Sequence, residues 1–146
     1  MDLKVGQKAV LERVFTQEEF NRFAVLSGDD NPIHVDPEFS SRTKFGRTVA
    51  HGMFLYSNIS RALGEILHGF AFAQLEQEMI FQAPTYTREK VEIRLEVLSL
   101  GAGGQAEIKT DVVKPDGQFG CQGRTIVSLP GSKVDRKDLQ DDNKSP

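Results

Sequence analysis

The hydrophobic period of this chain changes at Gly69, and that change limits the folds open to it. From Gly52 to about His68 the apolar residues Met53, Phe54, Leu55, Ile59, Ala62, Leu63, Ile66 and Leu67 recur at helical spacing, with Arg61 and Glu65 as an exposed pair. Beyond Gly69 the period is two. In VEIRLEV, Val91, Ile93, Leu95 and Val97 alternate with charged residues, and QAEIKTDVV repeats the pattern with Ala106, Ile108, Thr110 and Val112. Lys114-Pro115-Asp116-Gly117 has a proline to preset one dihedral and a glycine for the left-handed one, so residues 105–113 and 119–129 are expected to form a hairpin. Gly101 to Gly104 supply the turn before it. With residues 70–82 added, a run of antiparallel strands follows one long buried helix. The expected class is α+β, an antiparallel sheet wrapped round a central helix.

The N-terminal part prepares that arrangement. Residues 9–15 (AVLERVF) read as a first strand, and Thr16 with Glu19 has the spacing of a capping box, so a helix starts there. Phe20, Phe23, Ala24 and Leu26 supply its apolar stripe, and Ser27-Gly28 its stop. Asp36-Pro37 reads as the cap and first position of another short helix through Ser41. Residues 28–34, GDDNPIH, then form a loop between two helices. One domain over residues 1–130 is expected, followed by a polar tail, residues 131–146, whose mixed charge lacks an apolar face and reads as frayed.

Composition excludes several classes. The 146 residues carry a net charge of −3, and the basic residues are scattered instead of forming a phosphate-neutralising patch, which argues against nucleic acid. No apolar run approaches the length of a membrane span, and the start, MDLKVGQKAV, lacks the apolar region of a signal peptide. A cytoplasmic protein is the plain expectation, with a mitochondrial or other organellar location open if a presequence has been removed. Cys121 is the sole cysteine, which rules out an intrachain disulfide and suits a reducing compartment. Its alternating surroundings, FGCQGRTIVSL, fit a packed side chain better than a nucleophile.

GDDNPIH is compatible with ordinary turn chemistry, because Asp and Asn side chains bond nearby backbone. It also carries Asp29 and His34 on a proline-stiffened segment, a carboxylate and an imidazole able to handle the protons of one water. A metal site built on His34-Val35-Asp36 with His51 or His68 is the competing arrangement, opposed by the better explanation of Asp36 as a helix cap. His51-Gly52 opens the buried helix, where unpaired N–H groups and the helix dipole favour developing negative charge. Gly52 lets a substrate oxygen approach its N–H, the physics of an oxyanion hole, although glycine is also a permissive cap. His68 reads as a C-terminal cap.

Residues 23–40 (FAVLSGDDNPIHVDPEFS) and 44–53 (KFGRTVAHGM) together resemble the (R)-specific enoyl-CoA hydratases of the MaoC-like dehydratase family, with a looser likeness through FQAP at 81–84 to about Leu129. The resemblance implies a hot-dog fold, the same order of helix and sheet as read above. It implies a homodimer with the two sheets joined edge to edge, and reversible hydration of trans-2-enoyl thioesters to (R)-3-hydroxyacyl products. The implied substrates are acyl groups on coenzyme A or acyl carrier protein, with no metal or redox cofactor. Asp29 is then the base and His34 the group able to deliver a proton to the α-carbon. The Gly52 N–H polarises the thioester carbonyl, and Asn31 supports the loop. Ser60, with Ser57 as the weaker choice, lines the pocket. His51 and Met53 flank the site, and Asp30 faces solvent. Phe54, Phe72, Leu75 and Phe81 are candidates for setting pocket depth.

Two other readings keep the fold. A thioesterase would place its acid on the central helix, where Glu65 is the sole acid and is paired with Arg61. A non-catalytic acyl-thioester-binding subunit would not need the Asp29–His34 pair.

Overall fold

In a computed structural model that describes residues 3–129, the helix–sheet order expected from the sequence is present. Strand β1 (Lys8–Val14) alternates in burial and leads into helix α1 (Gln17–Ser27). The capping box is complete: the Glu19 N–H donates to Thr16 Oγ1 and the Thr16 N–H to Glu19 Oε1, each at 3.2 Å. Gly28 closes α1 in the left-handed conformation (φ 80°). Phe20 and Ala24 are buried and Phe23 packs beside them, but Leu26 is 85% exposed and lies outside the stripe.

The segment read as a loop is in part a helix. Residues Pro32–Val35 form α2, capped by Asn31, whose Oδ1 accepts the Ile33 N–H at 3.1 Å. Proline in the first turn sacrifices no intrahelical bond, so four residues suffice for this turn. His34 is therefore aimed by a helical turn. Helix α3 (Pro37–Ser41) follows, with Asp36 accepting the Phe39 N–H at 3.1 Å as its cap. Ser40 is fully buried, and its hydroxyl donates to the Ile33 carbonyl at 3.1 Å, tying α3 to α2.

Helix α4 (Gly52–Ile66) is followed by β2 (Ala73–Phe81), β3 (Lys90–Leu100), β4 (Gln105–Val113) and β5 (Phe119–Ser128). All pairings are antiparallel, in the order β1-β3-β4-β5-β2. The 105–113 and 119–129 segments pair as expected across the Lys114–Gly117 turn, where Gly117 has φ 84°. β1 and β2 are thus the two sheet edges, a placement that no local period reveals.

The inward positions Val91, Ile93, Leu95 and Val97 of β3, with Ile108 and Val112 of β4, pack with Leu55, Ile59, Ala62 and Leu63 of α4. Burying such side chains contributes roughly 1.5–3 kcal/mol each. Phe54 also belongs to this core, edge-on to Phe15 at 4.9 Å, so it does not set pocket depth. Met53, on the same helix, is 54% exposed. Among the described residues, no helix is long and apolar enough to cross a membrane.

Cys121 on β5 is fully buried, and burial pushes its thiol up to about 12. The thiolate is the reactive form, so the native protein is expected to leave a disulfide reagent unreacted at pH 8 over minutes. The urea-unfolded chain should react at once. Fast native labelling would show that this site opens.

Candidate active site

α2 and the start of α4 bring the sequence-selected residues together. Asp29 follows the C-cap glycine of α1, its N–H donating to Ser27 Oγ at 3.1 Å, and its Oδ1 accepts the Asn31 N–H at 3.4 Å. Asn31 therefore supports both the Asp29 side chain and the first turn of α2. His34 is 8% exposed, and its Nδ1 lies 2.7 Å from the Val49 carbonyl. A carbonyl only accepts, so Nδ1 carries a proton, and when the ring is neutral Nε2 presents its lone pair.

That Nε2 faces Asp29 Oδ2 at 3.9 Å. The separation is too long for a direct hydrogen bond. Both atoms are acceptors, however, and a water between them would donate one hydrogen to each, leaving its oxygen lone pairs free. The Asp29 side chain is 56% exposed, so water reaches this gap.

His51 is more deeply engaged than its position before Gly52 suggested. Its ring stacks on that of His34 with centroids 3.8 Å apart and planes 21° apart, and the Phe23 ring meets it edge-on with centroids 4.9 Å apart. Its Nε2–H donates to the Asp29 carbonyl at 2.9 Å. Burial holds its pKa below the usual histidine value, the bond to the Asp29 carbonyl opposes that shift, and the neighbouring His34 lowers it further. Neutral His51 thus braces both Asp29 and His34. Its Nδ1 is buried without a partner.

Asp29, His34 and His51 each offer one ligand atom, all within 4.8 Å of one another. The in-plane lone pairs of the stacked rings lie in planes only 21° apart, whereas an ion held at about 2.0–2.1 Å by two imidazoles needs them to converge. Asp36 is committed to capping α3, and exposed His68 is not part of this group. Asp29 Oδ2 and His34 Nε2 are placed to handle the protons of one water.

His34 and Gly52 line one open cleft of about 370 Å³ with Phe45, Leu55 and Phe81. Neither the Gly52 nor the Met53 N–H has a protein acceptor among the described residues, as befits the first turn of a helix. Gly52 also has a packing reason to lack a side chain: a Cβ there would lie 2.8 Å from Phe81 Cε1. Of the four residues considered for pocket depth, Phe81 lines this cleft, Phe72 packs against the core, and Leu75 sits at the irregularity in β2. Thr85, missed in the sequence, also lines the cleft and has a buried hydroxyl without a partner. It lies in a polar loop that carries no motif.

Ser60 is exposed on α4, about 12 Å of helix beyond Gly52. Within the described residues it has no contact with Asp29 or His34. Ser57 is likewise exposed, its hydroxyl donating to the Phe54 carbonyl at 2.6 Å. Asp30 is exposed, as expected, and so is Glu65, whose Oε1 is 3.3 Å from Arg61 Nε.

An antiparallel sheet curled round one helix, with an Asp–His pair beside that helix's N-terminus, defines a hot-dog protein with a polar site. The chain belongs to the MaoC-like family: the profile of the MaoC like domain matches residues 3–116. It is 37% identical over 129 residues to the (R)-specific enoyl-CoA hydratase of Aeromonas caviae, covering 88% of this chain and 96% of that one. The solved structure of the A. caviae (R)-hydratase involved in PHA biosynthesis superposes with a TM-score of 0.83, covering 88% of this chain and 98% of the other. An unliganded R-hydratase from Pseudomonas aeruginosa gives 0.82 at 30% identity, with coverage of 88% and 83%.

Proposed function

We propose that this chain catalyses the reversible addition of water to trans-2-enoyl thioesters, giving (R)-3-hydroxyacyl thioesters. The observation that carries this reading is the 3.9 Å gap between two proton acceptors, Asp29 Oδ2 and His34 Nε2, with His34 lining the same cleft as the Gly52 N–H. The R configuration follows the activities named for the A. caviae and P. aeruginosa relatives.

Water held in the gap attacks the β-carbon through its oxygen and gives one proton to the Asp29–His34 pair. The electron pair of the double bond moves onto the thioester carbonyl, and the Gly52 N–H stabilises the developing enolate. Removing one such donor from comparable sites costs about 2.7–4 kcal/mol of barrier. The pair then returns a proton to the α-carbon. The Nδ1 bond to Val49 gives His34 a specific part: its Nε2 can deliver a proton only after accepting one. Water addition changes no net oxidation state, so this chemistry requires no redox cofactor, and the scheme assigns the proton transfers to Asp29 and His34 without a metal.

The acyl group is carried as a thioester of coenzyme A or acyl carrier protein. A homodimer joined along a sheet edge fits the open edge of β2, where Ile80 is 65% exposed. The thioesterase reading is weakened by the placement of Glu65, on α4 about 20 Å from Gly52 at 1.5 Å per residue. A cytoplasmic protein remains the plain expectation, with an organellar matrix as the alternative.

Incubation with crotonyl-CoA tests the reaction. Loss of enoyl absorbance without release of free thiol is the expected result; release of free coenzyme A would instead establish a thioesterase.

A further inference from the structure

Most lysines and arginines among the described residues are ion-paired within 4.0 Å. The exceptions are Lys4, Arg42, Lys44, Arg47 and Arg88. All but Lys4 gather on two adjoining segments. The isolated antiparallel bridge between Val49 and Tyr86 brings the segment of Arg47 beside the turn that carries Arg88, and Arg47 Nη2 donates to the Thr87 carbonyl at 2.6 Å. Arg47 lies over the Tyr86 ring at 4.5 Å, while the Tyr86 hydroxyl donates to the Phe45 carbonyl at 3.0 Å. Lys44 Nζ sits 5.5 Å from the centre of the Phe45 ring.

Phe45 lines the cleft that holds His34 and Gly52, so these cations stand at its rim. The acid on the same segment, Glu89, is already engaged by Lys114 at 3.5 Å and by the Tyr86 N–H at 2.9 Å. Arg88 has φ 65°, which side-chain-bearing residues avoid. Like charges on one rim repel one another and attract an anionic ligand.

We infer that Arg42, Lys44, Arg47 and Arg88 form the binding site for the phosphates of coenzyme A at the cleft mouth, an assignment that rests on the hydration reading above. Arg47 and Gly52 are five residues apart, at most roughly 17 Å of extended chain, which a pantetheine arm can bridge between its thioester and its diphosphate. Several cations on one short rim match a small ligand carrying a diphosphate and a 3′-phosphate. A carrier protein would bring a single phosphodiester and more widely spread acids. Arg47, stacked and bonded, positions the rim, while exposed Lys44 and Arg88 are free to meet phosphate.

The test pairs Lys44→Glu with Arg88→Asn, since Asn tolerates the left-handed backbone. It compares crotonyl thioesters of coenzyme A, 3′-dephospho-coenzyme A, acyl carrier protein and N-acetylcysteamine, which has no phosphate. The ratio of kcat/KM for the coenzyme A thioester to that for the N-acetylcysteamine thioester should fall about tenfold or more in the double variant, mainly through KM. In the wild type the ratio should shrink as salt rises. The 3′-dephospho thioester should fall between the two. A ratio that stays within about twofold overturns the assignment. A loss confined to the carrier-protein thioester assigns the rim to that protein and also overturns it. If no thioester is hydrated, the hydration reading fails by itself, and calorimetry with coenzyme A still decides: about tenfold weaker binding in the variant supports the site, and equal binding removes it.

Discussion

Asp29→Asn is expected to lower the hydration rate of crotonyl-CoA by about 10² to 10⁴, and His34→Ala by a similar factor, the usual range for a positioned proton-transfer group. Both substitutions remove one of the two acceptors that span the 3.9 Å water gap. Asparagine keeps the shape of Asp29 but turns an ionised acceptor into a neutral amide. Alanine at position 34 also removes the Nδ1 bond to Val49 and the stack on His51, so it costs stability as well as rate. Circular dichroism and melting separate the two effects, and Asp29→Asn, at a half-exposed side chain, should leave melting nearly unchanged. Because the pair acts on one water, the double variant should be scarcely slower than the worse single one. Wild-type rates in both single variants would remove the proposed mechanism.

Gly123→Ala is expected to destabilise the protein by about 3 kcal/mol or more and to lower its Tm by roughly 10 °C. A Cβ at this position of β5 would lie 1.9 Å from the Glu78 carbonyl oxygen and 3.0 Å from its carbon. Those atoms are backbone of the paired strand β2, where Met79 is opposite Gly123. They cannot swing away as a side chain would, so relief requires opening an edge pairing. Gly64→Ala supplies the contrast: nothing lies within 4 Å of its Cβ, it sits inside α4, and alanine there should stabilise by about 0.5–1 kcal/mol. Urea unfolding measures both. Equal stability of Gly123→Ala and the wild type would mean that β2 pairs more loosely than this geometry states.

The Asp29–His34 pair and the strands β3 to β5 were legible because each depends on neighbours in sequence: a capped turn, a period of two, a Pro–Gly turn. α2 was not. GDDNPIH carries turn residues throughout, and the contacts that hold its helical turn come from outside it: the Ile33 carbonyl accepts both the Ser40 hydroxyl and the Val49 N–H. Phe54 illustrates a second limit. On a helix apolar over much of its circumference, the sequence does not distinguish the side facing a core from the side facing a cleft, and the phenylalanines at 15, 20 and 23 decided it. Leu26 failed for the opposite reason, because helical spacing near a helix end does not ensure a surface to pack against.

By itself the sequence determined α1, α3, the strands and the central place of α4, and it offered Asp29 and His34 as candidates to handle a water, since backbone hydrogen bonding and amphipathic burial read out over a few residues. Only the tertiary structure decided that β1 and β2 would be the sheet edges. It alone brought His51 onto His34, separated Ser60 from the polar pair within the chain, and set the turn of Arg88 beside the segment of Arg47. Those are contacts between segments tens of residues apart. They follow from how one sheet closes on one helix, a three-dimensional constraint with no local period to announce it.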